Sequence, residues 1–301
     1  MKVLMVGLGS IARRHIAALR AICPSVELVA WRSSRSASPV EGVADVYELP
    51  QNACFDFAIV SNPTSCHADT VRQLLRLNIP LFIEKPLFSA LGEEKLLEEI
   101  RAKGILTYVA CNMRFTDVLQ YVHAHVSGLR VNEVNVYCGS YLPEWRPGTD
   151  WRNGYSAREE LGGGVHRDLI HELDYLWWMF GRPVRVHKVL RSVSSLEINA
   201  VDYANYTLEY PGFTASVVLN YFRRDYKRTL EIVADDTTWH VDLAAGTVTD
   251  QTGRVLFRSS QEPDGDYLAQ MQDFVARVKA HETRGDNDVF EAYEVLKLCL
   301  E

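Results

Sequence analysis

Lys2-Val3-Leu4-Met5-Val6-Gly7-Leu8-Gly9-Ser10-Ile11-Ala12 opens the chain, and its reading decides the fold. A short apolar run ends in a glycine turn, and helical spacing takes over at once, with Ile11, His15, Ala18, Leu19 and Ile22 recurring on one face. Each small residue has a physical reason. Gly7 permits the tight turn, Gly9 lets backbone approach a pyrophosphate with no Cβ in the way, and Ala12 lets helix and strand pack closely. Ser10 and Ile11 begin the helix, whose free N–H groups and positive dipole end suit phosphate.

The alternation continues outward from this turn. Residues 26–31, 57–60, 80–84 and 106–111 read as strands, and residues 68–77 and 93–103 as amphipathic helices. Strands separated by helical crossovers imply parallel pairing in a doubly wound sheet. A Rossmann-type dinucleotide-binding domain is therefore expected over residues 1–117. After that the pattern changes. A long strand at 131–139 leads to a loop at 145–158 rich in Trp, Arg, Gly and Tyr, then to Gly162-Gly163-Gly164 and a helix at about 168–180. Strands follow one another at 184–190, 202–210, 214–221, 229–234 and 238–242, and helices at 266–281 and 288–300 close the chain. Consecutive strands without helices predict an α+β domain with a large, mostly antiparallel sheet over residues 118–301.

Composition narrows the function. At 301 residues the chain suits two domains. Apolar residues make up 47% and charged residues 24%, as in ordinary globular proteins. A net charge of −7 argues against a nucleic-acid partner, which needs a basic surface. No apolar run approaches the ~20 residues of a membrane span. The opening residues reach Gly7 too early for a secretory leader, and the six cysteines are scattered with no C-x-x-C pair. Reduced buried thiols in a cytoplasmic protein, and no metal centre, are expected.

Candidate chemistry sits at strand ends. An acidic residue after the second strand would bind the 2′-hydroxyl of NAD, but this strand ends Trp31-Arg32-Ser33-Ser34-Arg35. Arg32 followed by the hydroxyl of Ser33 suits a 2′-phosphate, which favours NADP over NAD. Glu84-Lys85-Pro86 closes a strand where ligands bind in open α/β sheets, and Pro86 keeps Lys85 out of helical geometry. Ser61-Asn62-Pro63-Thr64-Ser65-Cys66-His67 ends the preceding strand. Asp168, His171 and Asp174 follow the glycine run at helical spacing, and a histidine beside carboxylates is a reasonable acid–base unit.

These pieces occur together and in order, and the chain resembles the glucose–fructose oxidoreductase, inositol dehydrogenase and MocA-like family over nearly its whole length. The resemblance implies NAD(P)-dependent oxidation or reduction at a carbon of a sugar, cyclitol or nucleotide-linked sugar. It implies a nucleotide site built from Gly7, Gly9, Ser10, Ile11, Arg32, Ser33, Ser61, Asn62, Pro63, His67, Glu84 and Lys85. It matches the catalytic lysine to Lys85 and the helix carboxylate and histidine to Asp168 and His171. The second domain would bind substrate, with Trp145, Arg146, Trp151, Arg152, Tyr155 and Asp174 walling the pocket, and would pack into a homodimer or homotetramer. The loop 141–152 also resembles members associated with surface-polysaccharide sugar pathways. One departure stands out. The family places its histidine four residues after the aspartate, and here His171 follows Asp168 by three. The direction of Asp168 is therefore open, and His171 is the firmer match. Two other readings remain: a non-catalytic nucleotide or sugar sensor on the same fold, and a reductase of a non-sugar carbonyl or imine.

Overall fold

A computed structural model describes residues 1–36, 38–50 and 53–301. In chain order the elements are β1 (Lys2–Val6), α1 (Ser10–Ile22), β2 (Glu27–Trp31), β3 (Val43–Val46), β4 (Phe57–Val60), α2 (His67–Leu74), β5 (Leu81–Ile83), α3 (Glu94–Lys103) and β6 (Thr107–Val109). Then follow α4 (Asp117–Val126), β7 (Val131–Tyr141), α5 (Val165–Asp168), α6 (His171–Phe180), β8 (Arg185–Arg191), β9 (Tyr203–Glu209), β10 (Thr214–Asn220) and β11 (Phe222–Ala234). The last are β12 (Thr238–Asp242), β13 (Thr247–Thr249), β14 (Val255–Arg258), α7 (Gly265–Lys279) and α8 (Val289–Leu300).

The first sheet runs β3-β2-β1-β4-β5-β6 with every pair parallel, as a doubly wound sheet requires. Its central strands are apolar on both faces: Val3, Met5, Phe57 and Ile59 on one and Leu4, Ala58 and Val60 on the other are wholly buried. On one face they pack against Ala12, Ile16 and Leu19 of α1 and against Met271, Phe274 and Val275 of α7. The Phe274 ring meets Phe57 at 5.0 Å, Phe82 at 5.2 Å and Tyr108 at 5.4 Å between centroids. Burying one such ring stabilises the fold by roughly 1.5–3 kcal/mol. This packing changes the expected division of the chain. The compact units are residues 1–115 with 262–300, and residues 116–261, so the closing helices belong with the first sheet. The reason is the aromatic cluster, which needs α7 as its lid.

The second sheet runs β14-β13-β12-β11-β7-β10-β9-β8, antiparallel except where β10 pairs with β7. Its strands alternate buried and open positions, with Ala204, Tyr206 and Leu208 of β9 and Ala215, Val217 and Leu219 of β10 in the core. α6 covers the buried face, where Glu172 receives Arg228 of β11. The helix expected at 168–180 is two helices. Leu169 adopts φ −103° and ψ 34°, which ends α5 at Asp168, and α6 starts at His171. All six cysteines are free, but only Cys111, Cys138 and Cys299 are buried; Cys54 and Cys66 are exposed. No helix among the described residues is long and apolar enough to cross a membrane.

Candidate functional site

In the first unit the glycine turn is built as a phosphate cradle. Gly7 has φ +92°, and a Cβ there would stand 2.5 Å from the backbone N of Asn62. Gly9 faces open space, with nothing within 4 Å of the position its Cβ would take. α1 starts with no side-chain cap and no acidic residue in its first turn. The N–H groups of that turn are thus left to an anion, and the residues present fit the pyrophosphate of a dinucleotide. Ser61 ties β4 to this turn: its Oγ donates to the carbonyls of Val6, at 3.2 Å, and Gly7, at 3.1 Å.

The strand-end segments reinforce one another. Asn62 Nδ2 donates to Thr70 Oγ1 at 2.8 Å. His67 is 1% exposed, with its ring nitrogens 3.0 Å from the carbonyls of Leu87 and Asn62. Burial pushes its pKa down, so the ring stands neutral and its single N–H donates to one of the two carbonyls. Lys85, half-buried, precedes a cis peptide bond to Pro86, and its backbone N–H donates to Glu84 Oε2 at 3.2 Å. Glu84 Oε1 lies 2.5 Å from His15 Nε2 on α1, and both side chains are buried. Sequence reading used His15 only as a helix position. The available signal was a histidine on the same face as Ala12, Ile16 and Leu19, a polar group that burial obliges to find a partner.

The ribose end departs from expectation in one respect. Arg32 is not a free cation: its Nη1 donates to Asp45 Oδ1 at 3.2 Å and to the Ser38 carbonyl at 3.3 Å. The carboxylate comes from β3, a strand the sequence reading lacks. Ser33 is exposed, and Arg35 stacks over the Tyr47 ring at 4.4 Å.

In the second unit the glycine run is sterically obligatory. Gly164 has φ +130°, and a Cβ on Gly163 would stand 2.8 Å from the Arg158 carbonyl. This closeness sets the start of α5. At its end, Asp168 Oδ2 accepts from Tyr221 Oη at 2.6 Å. Burial and the neighbouring Asp168 carboxylate push the Tyr221 pKa well up, so it stays a donor. His171 and Asp174 are buried at the start of α6. Asp168 and His171 therefore sit on successive helices, and the expected shared face of one helix is not formed. The break falls where the Asp–His spacing is a residue short. Glu172, fully buried, accepts from Arg228 Nε at 2.6 Å, which fixes the first turn of α6 to β11.

Beside Leu169 opens a cavity of about 380 Å³, walled by Tyr141, Trp145, Arg224, Tyr226 and Arg228 among others. Of the loop residues expected to wall a pocket, Trp145 does so; its Nε1 donates to Ser140 Oγ at 2.9 Å and its ring meets Tyr221 edge-on at 5.3 Å. Arg146, Trp151 and Arg152 do not line this cavity, and Arg152 stacks over the Trp151 ring at 4.7 Å. Tyr155 Oη donates to the Gly162 carbonyl at 2.8 Å. Tyr221, Arg224 and Arg228 were missed. They lie far from the glycine run in sequence and reach it only through sheet pairing.

Comparison with known proteins bears on both units. Residues 1–110 match the oxidoreductase family with an NAD-binding Rossmann fold, and residues 120–240 match the GFO/IDH/MocA C-terminal domain. Scyllo-inositol 2-dehydrogenase (NAD(+)) of Bacillus subtilis is 22% identical over 191 residues, 60% of this chain and 54% of that protein. The matched segment thus spans about half the length of that relative. Levoglucosan dehydrogenase, solved with NADH and levoglucosan, superposes with a TM-score of 0.83 at 16% identity, covering 99% of this chain and 95% of that one. The WlbA dehydrogenase of Bordetella pertussis, solved with NADH and UDP-GlcNAcA, gives 0.80 at 17% identity, covering 99% and 93%. With both of its characteristic domains matched in order, the chain belongs to the Gfo/Idh/MocA oxidoreductase family.

Proposed function

We propose that the protein is an NAD(P)-dependent oxidoreductase acting on a CH–OH carbon of a sugar, cyclitol or nucleotide-linked sugar. The observation that carries this reading is the Glu84-Lys85-Pro86 turn at the end of β5. There the Lys85 backbone N–H is held by the Glu84 carboxylate, itself clamped by His15, in the same sheet as the uncapped phosphate turn. Structural similarity to the levoglucosan and WlbA dehydrogenases supports sugar-like substrates. The likeness to WlbA, solved with UDP-GlcNAcA, also supports a nucleotide-linked sugar as substrate, and a place in surface-polysaccharide sugar chemistry is proposed from the loop 141–152 alone.

Gly7, Gly9 and the first turn of α1 would hold the pyrophosphate, with Ser10 and Ile11 supplying N–H groups. The bound nicotinamide supplies the hydride acceptor or donor. The Lys85 ammonium hydrogen-bonds the reacting oxygen and favours its alkoxide-like charge. His171 takes or returns the hydroxyl proton, a contribution of roughly 10²–10⁴-fold. Asp168, already engaged by Tyr221, is a positioning group in this scheme.

NADP(H) is proposed over NAD(H). With Arg32 shared by Asp45, this preference rests on Arg35 and the hydroxyls of Ser33, Ser34 and Ser36. The Arg32–Asp45 pair also favours a second reading, an enzyme that accepts NAD as well, because Asp45 cancels part of the positive charge. A homodimer or homotetramer is proposed, to be read from a sizing run. The test of function is nicotinamide absorbance with NADP⁺ and NAD⁺ against free sugars, cyclitols and nucleotide-linked sugars. Saturable turnover is expected. Nucleotide binding without turnover across the panel would favour a sensor.

A further inference from the structure

We propose that the cavity beside Leu169 is an anion subsite, in which Arg224 and Arg228 hold a carboxylate or phosphate carried by the substrate. This rests on the proposed function and narrows its substrate to acidic sugars or sugar phosphates.

Arg224 lies over the Tyr141 ring at 3.9 Å. Among the described residues it makes no ion pair. Stacking fixes the guanidinium plane by its face and leaves its N–H edges available, the arrangement that suits bidentate capture of a planar anion. Arg228 is a second cation on the same wall. Its Nε is committed to Glu172, but its Nη2 is buried with no hydrogen-bond partner. Burial with Glu172 and Tyr226 holds this guanidinium in place, and its charge adds to the positive wall that an anion beside Arg224 meets. Trp145 and Tyr226 add aromatic wall, suited to the C–H face of a sugar ring. Glu144 also lines the cavity; it is exposed on the turn after β7, where water screens it, whereas Glu172 is bound to Arg228. The location ties this cavity to the reaction: Leu169 in its wall falls between Asp168 and His171.

The test is calorimetric titration of the full chain, without nucleotide, by matched pairs: glucuronate against glucose, galacturonate against galactose, and glucose 1-phosphate against glucose. At least one anionic member should bind about tenfold more tightly than its neutral partner, as a charge-assisted bond implies. Arg224→Gln should erase that advantage and change neutral-sugar affinity less than about twofold. Arg228→Lys keeps a cation for Glu172, and should weaken anion binding in a chain that still folds. Tighter uronates would assign a carboxylate, and tighter sugar phosphate a phosphate. Equal binding within every pair, no saturable binding by any anionic probe, or an anion advantage that survives Arg224→Gln would each overturn the subsite. Nicotinamide absorbance separates this failure from that of the function. Turnover of neutral sugars with no anion preference keeps the oxidoreductase and removes the subsite. Arg224-dependent anion binding with no turnover on any probe does the reverse.

Discussion

The phosphate turn after β1 and the cavity beside Leu169 are coded in different ways. The turn is local. Gly7 and Gly9 lie two residues apart and act through backbone, one by admitting φ +92° against Asn62 and one by leaving space. The cavity is non-local. Tyr141 and Trp145 come from β7 and the turn after it, Leu169 from between two helices, and Arg224 and Arg228 from β11. A site made of backbone and neighbours is readable as a motif. A site assembled by strand register shows no motif, because its members share a face only after the sheet has formed.

A large effect is expected on the less readable side. His171→Ala should lower kcat by about 10²–10³-fold with little change in nucleotide affinity, measured by steady-state kinetics and nucleotide titration. A turnover close to wild type would confine the chemistry to the glycine-turn side. The next pair of variants dissects the turn itself. Gly7→Ala should destabilise the fold by about 2–4 kcal/mol, since both φ and contact oppose a Cβ. Gly9→Ala should leave the melting temperature within about 2 °C but weaken nucleotide binding about tenfold or more. Equal thermal losses in the two would mean that Gly9 is a packing residue.

Acid should reveal a buried histidine in each region. Burial lowers the pKa of His67 in the first unit, and burial with Arg167 and Lys188 nearby lowers that of His166 in the second to about 3. Both are neutral when folded and take up a proton near 6.5 when unfolded. Their contribution is therefore complete above pH 6.5 and declines as pH falls toward the folded pKa, because the unfolded chain binds more protons. Going from pH 7 to 5 should cost about 2 kcal/mol for His166, read by denaturant melts. His166→Gln should flatten that slope. The smallest effect expected is at the ribose end. Arg35→Ala should reduce the NADP⁺ over NAD⁺ preference in kcat/KM by about fivefold, a loss of one exposed phosphate contact. An unchanged ratio would move the 2′-phosphate contact elsewhere.

Much of the fold was legible because apolar runs and helical spacing are local. Both sheet types follow from them. β3 was not legible: Val43–Val46 is a half-exposed edge strand with no apolar alternation to mark it. α7 was found as a helix, but its apolar face does not say which sheet it covers, and Phe274 answers that only in three dimensions. The break at Leu169 was hidden because apolar residues run unbroken across it at helical spacing. The short Asp–His spacing was its one visible trace. The conformations of the glycine turn and of the Glu84-Lys85-Pro86 turn were legible from their motifs. Asp45, Tyr221, Arg224 and Arg228 were not, since nothing near them in sequence marks their partners.

The most direct test of the account is Lys85→Ala, assayed for nicotinamide absorbance change on whichever sugar the wild type turns over, beside titration of the nucleotide. Nucleotide affinity within about twofold of wild type and turnover reduced by about 10³-fold would place the chemistry at the end of β5. Near-normal turnover with the nucleotide bound would contradict it.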